Sequence, residues 1–62
     1  MNLRRIRDEK GLTQEALAEA ASMDPSEIRR IESAHRDPGV RVVARLAHGL
    51  GVPASDLFAG ID

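Results

Sequence analysis

Residues 13–32 read Thr13-Gln14-Glu15-Ala16-Leu17-Ala18-Glu19-Ala20-Ala21-Ser22-Met23-Asp24-Pro25-Ser26-Glu27-Ile28-Arg29-Arg30-Ile31-Glu32. This stretch decides the fold, because it spells two short helices broken by a tight turn. Thr13 is a good N-cap for the first, and Ala16, Leu17, Ala20 and Ala21 give it a continuous small-residue face. Ser22, Met23 and Asp24 interrupt the pattern. The next helix opens with three agreeing signals: Asp24 as N-cap, Pro25 at the first helical position, and Glu27 where a capping box needs an acid. Ile28 and Ile31 face its core side. Helices this short are marginal alone, so close pairing at an angle must stabilise them.

The outward face of the second of these helices carries the functional signal. At about 100° per residue, the side opposite Ile28 and Ile31 holds Ser26, Arg29, Arg30 and Ser33. Arginine and serine are groups that hydrogen-bond base edges and phosphates. On an isolated helix the same residues would be an ordinary solvated face. The frame of two helices and a turn shifts the balance.

Extended along the chain, the pattern includes Arg7, Gly11-Leu12-Thr13-Gln14, Leu17-Ala18, Ile28, Ile31-Glu32, Pro38, Leu46-Ala47, Leu50-Gly51-Val52 and Leu57. In these residues the chain resembles the Cro/phage-repressor type of helix-turn-helix regulators, also called XRE-type. The resemblance covers essentially the whole chain. It departs from the family at Ser22, where glycine is usual in the turn, and at Ala34, where glycine usually follows the glutamate. It implies an all-α, lambda-repressor-like DNA-binding domain in which the helix over 25–33 enters the major groove.

Composition bounds the alternatives. A chain of 62 residues is expected to form one domain over 1–62. Such a domain buries only about 60% of its unfolded surface, so its stability is modest. It has no cysteine to staple it or to bind metal as thiolate, which is compatible with the reducing cytoplasm where we expect it. No apolar run approaches the roughly 18 residues that span a membrane, and no signal-peptide pattern opens the chain. One phenylalanine is the only aromatic residue, which argues against base-stacking recognition of single strands or RNA. The net charge of −1 counts against nucleic-acid binding in its simplest form, but the charges are unevenly spread. Arg4, Arg5, Arg7 and Lys10 crowd the first helix, Arg29, Arg30 and Arg36 lie in or after the reading element, and no Lys or Arg follows Arg45.

Outside the central stretch, Asn2 is expected to cap a first helix that runs to about Lys10, with Leu3 and Ile6 inward and Gly11 ending it in the left-handed conformation. Arg7 follows Leu3 by four residues and Glu32 follows Ile28 by four, so each charge borders the apolar stripe of its helix. The family resemblance implies that these two form a semi-buried ion pair joining the first helix to the reading helix. Asp37-Pro38-Gly39 is a turn signal. A fourth helix over 40–48 is expected to turn Val40, Val43, Ala44, Ala47 and Leu50 inward and Val42 outward, with Gly49 and Gly51 supplying its end. After Pro53, a short last helix should plug the core with Leu57 and Phe58, and residues 59–62 should fray.

Enzyme readings fail on inventory. The chain offers no cysteine nucleophile, no glycine-rich phosphate loop, no paired histidines, and no serine with a local histidine and acid. Metal or cofactor binding is not expected; His35 has no partner at ligand spacing. The sequence therefore reads as a compact bundle of five short helices that binds double-stranded DNA to regulate transcription, most readily as a homodimer on a palindromic site. Ser26, Arg29 and Arg30 are the candidates for base edges. The resemblance makes Gln14 a phosphate clamp at the N-terminus of its helix, with Thr13, Arg7, His35 and Arg36 as further phosphate candidates. The competing reading is a protein-interaction or antitoxin-like module on the same scaffold, favoured by the near-neutral charge and by Pro25 and Glu27 in the reading helix.

Overall fold

The computed structural model describes residues 1–34 and 37–58. Four α-helices, α1 (Leu3–Glu9), α2 (Gln14–Ala21), α3 (Pro25–Ser33) and α4 (Val40–Leu50), are followed by a single 3-10 turn over Ala54–Leu57, with no strand among the described residues. The expected fifth helix is thus only a 3-10 turn. Asp56 N–H donates to Pro53 O and Phe58 N–H to Ser55 O, at 3.0 and 3.1 Å. With three residues per turn, consecutive side chains point about 120° apart, so Leu57 and Phe58 cannot both face inward. Leu57 is fully buried and Phe58 stays 41% exposed, which corrects the expectation that both plug the core.

Three helices end the same way. Gly11 N–H donates to Asp8 O and Leu12 N–H to Arg7 O; Ser22 and Met23 repeat the pattern on Glu19 and Ala18, and Gly51 and Val52 on His48 and Ala47. Each ending needs one left-handed residue, which Gly11 and Gly51 adopt without strain. Ser22 adopts it with φ +57°, the one non-glycine residue with positive φ among those described. It sets the turn between α2 and α3. Asn2 occupies the N-cap position of α1 without the expected side-chain cap bond; its backbone N–H instead donates to Leu57 O at 2.7 Å and ties the start of α1 to the 3-10 turn. The terminal amine of Met1 meets Asp37 Oδ1 at 3.1 Å, drawing the loop after α3 to the same corner.

The core gathers Leu3, Ile6, Leu17, Ala18, Ile28, Val43, Leu46, Ala47, Leu50 and Leu57. On α2 the buried face is Leu17, Ala18 and Ala21, while Ala16 and Ala20 are exposed. On α4 the register also differs from expectation. Val43, Leu46, Ala47 and Leu50 point inward, Val42 packs partly against the core, Ala44 is exposed and Val40 is 87% exposed. The cause is the contact with α2. Gly49 lies inside α4 rather than ending it, and a Cβ there would come within 3.1 Å of Ala21 N and Cβ. That close crossing fixes the rotation of α4 and leaves Val40 beyond the edge of the core. α2, packed on both α3 and α4, is the central support of α3.

Candidate nucleic-acid interface

Asp24 and Pro25 start α3 abruptly. Asp24 accepts from Ser26 N–H at 2.8 Å, and Glu27 Oε1 accepts from Asp24 N–H at 3.4 Å, completing a capping box. The helix then buries Ile28, half-buries Ile31, and exposes Ser26, Arg29, Arg30 and Ser33. Ser33 turns its hydroxyl back to Arg29 O and Arg30 O, at 3.0 and 3.2 Å, so it serves its own helix. Arg29 and Arg30 make no salt bridge among the described residues, leaving both guanidinium groups available to a ligand.

The inner side of α3 is held by charge. Arg7 Nε donates to Glu32 Oε2 at 2.6 Å and Arg7 Nη2 to Glu32 Oε1 at 3.1 Å, a two-pronged pair whose side chains are 10% and 6% exposed. Arg7 Nη1 donates to Leu12 O at 2.7 Å. Gln14 Nε2 donates to Glu32 Oε1 at 2.9 Å. The single carboxylate of Glu32 thus joins α1, α2 and α3. Burial pushes its pKa up, but hydrogen bonds from Arg7 and Gln14 and the charges of Arg7 and Arg4 outweigh burial and hold it below the usual carboxylate range. The hydrogen bond to Glu32 in turn raises the pKa of Arg7 against its own desolvation.

This network gives Arg7 and Gln14 a structural role. Arg7 is buried and has three of its five N–H donors on Glu32 and Leu12. Gln14 is half-buried, with one amide N–H given to Glu32 and the other N–H and the oxygen remaining. Thr13 is exposed and caps α2, accepting from Ala16 N–H at 2.9 Å. His35 and Arg36 lie outside the described residues. A surface cleft of about 240 Å³ brings Arg4, Arg7, Gln14, Arg29, Glu32 and Ser33 together. Arg4 is the residue there that sequence reasoning did not single out. Its only local signal, Asp8 four residues on at 3.9 Å, is that of an ordinary exposed helix pair.

Residues 3–57 match the family model described as helix-turn-helix. The chain belongs to the Cro/C1-type helix-turn-helix family. Searches of curated proteins and of solved structures returned no match. The family is one of DNA-binding regulators. In this helix-turn-helix domain α2 and α3 are the paired helices, and Ser22 stands at the turn between them. No helix among the described residues is long and apolar enough to cross a membrane.

Proposed function

We propose that the domain is a sequence-specific transcriptional regulator that places α3 in the major groove of double-stranded DNA, as a homodimer on a two-fold site. The observation that carries this reading is the outer face of α3, where Ser26, Arg29 and Arg30 are exposed on a helix held rigidly from behind by Ile28 and Glu32. Arg30 can grip guanine O6 and N7 with two donors. Arg29 borders the cleft and reaches either a base or the neighbouring phosphate. Gln14, with Thr13 beside it, contacts phosphate through its remaining N–H at the start of α2, where the helix dipole favours an anion.

One module of this size reads few base pairs, which is why a two-fold dimer completes the reading. With Val42 packed partly against the core, Val40 and Phe58 are, among the described residues, the large apolar side chains left exposed for a dimer contact. The interaction-module reading keeps one observation in its favour: Asp24, exposed, and Glu27, half-buried, place carboxylates at the end of α3 that would meet DNA. A fluorescence titration against random duplex separates the two. Groove binding predicts affinity that falls steeply with salt; absence of binding at low salt favours the interaction module.

A further inference from the structure

The first turn of α3 differs from an ordinary helix start, which presents free N–H donors. Pro25 has no N–H. Ser26 N–H donates to Asp24 Oδ1 at 2.8 Å, while Glu27 N–H and Ile28 N–H both donate to Asp24 O, at 2.9 and 3.4 Å. The Ser26 hydroxyl donates to Asp24 Oδ1 at 2.7 Å. A hydroxyl has one proton, and here a carboxylate holds it in a charge-assisted bond. Ser26 Oγ therefore shows only lone pairs to the outside. Asp24 and Glu27 add further acceptors. The hydrogen bonds from Ser26 and the charges of Arg29 and Arg30 hold the Asp24 carboxyl below its usual range. The turn offers acceptors and no donor.

Major-groove edges respond to this asymmetry. Cytosine N4 and adenine N6 present amino donors, whereas guanine presents only acceptors and thymine an acceptor and a methyl group. We infer that Ser26, locked as an acceptor by Asp24, is a specificity-determining residue that selects an amino-bearing base, cytosine or adenine, on the strand it faces and rejects guanine there. This rests on the groove docking of α3 proposed above. It divides the labour along the helix: Arg30 donates to an acceptor-rich base, and the first turn accepts from a donor-bearing one.

The test begins with selection of bound duplexes from a random library by the wild-type chain and by Ser26→Ala. The position that loses its preference in Ser26→Ala is the one Ser26 reads. At that position, cytosine or adenine is then replaced on each strand by its analogue lacking the exocyclic amine, 2-pyrimidinone or purine. Loss of one such bond should weaken wild-type binding about five-fold and leave Ser26→Ala unaffected. Asp24→Gly keeps a tolerated N-cap but removes the oxygen that holds the Ser26 proton, so it should admit guanine or thymine where the wild type excludes them. An enriched site whose amine is dispensable to the wild type, or a guanine preference on the strand facing Ser26, overturns the inference while groove docking stands. A library that yields no enriched duplex at low salt overturns the docking and the inference together.

Discussion

The two ends of α3 each carry a carboxylate, and the two are used in opposite ways. Glu32, its side chain only 6% exposed, accepts from Arg7 and Gln14, and each of these bonds crosses to another helix. Asp24 is exposed, and its bonds stay within the first turn of its own helix. Both pKa values are lowered, yet the lowering has different sources: a guanidinium and an amide against burial for Glu32, and a serine hydroxyl and backbone N–H for Asp24. A carboxylate at a helix N-terminus is favoured by the dipole, whereas one near the C-terminus is not. Glu32 is tolerated there because Arg7 compensates it. One end of the helix therefore fixes where α3 sits, and the other determines what it presents.

The largest expected effect comes from breaking the inner end. Glu32→Ala leaves the Arg7 charge desolvated without its partner, at a cost of about 3–5 kcal/mol. For a domain whose whole stability is on the order of 5 kcal/mol, this unfolds an appreciable fraction of molecules. Urea unfolding of Arg7→Ala, Glu32→Ala and the double variant measures the coupling directly. Coupling near zero would place the pair among surface bridges worth roughly 0–1 kcal/mol.

Acid titration gives a second, smaller contrast. Because the folded pKa of Glu32 lies below its unfolded value, its contribution is present above about pH 4.3 and is lost as pH falls through the folded pKa. Thermal unfolding should therefore be flat from pH 7 to 5 and decline below. Glu32→Gln should flatten that decline, leaving a remainder that includes the contribution of Asp24. An unchanged acid profile would show that Glu32 is not the group being titrated.

The smallest effect lies at the turn that aims the outer end. Ser22 in the left-handed region is strained relative to glycine, so Ser22→Gly should raise stability by about 0.5–1 kcal/mol. The base preference proposed for the first turn of α3 should be unchanged. A loss of stability would mean that Ser22 contributes something beyond the turn.

Much of this architecture was legible because it is written locally. The caps at Thr13 and Asp24-Pro25 and the left-handed glycines at 11 and 51 need no knowledge of neighbours. The register of α4 was not legible. Val40, Val42, Val43, Ala44, Leu46, Ala47 and Leu50 cover most of the helix circumference, so pattern alone does not choose a face, and contact between Gly49 and Ala21 does. The same holds at the interface. Spacing put Arg7 and Glu32 beside their apolar stripes, but nothing in sequence tells that Gln14 joins them or that Ser26 surrenders its proton to Asp24.

The outer face of α3 carries the proposed base reading, and Arg30 is the residue to test. Its substitution Arg30→Ala should be titrated by fluorescence against a selected operator and against random duplex at the same salt. A loss of about 1–3 kcal/mol is expected on the operator, with preference relaxed at one base position and little change on random DNA. Equal losses on both duplexes would place Arg30 on the phosphate backbone and contradict α3 as the reading helix.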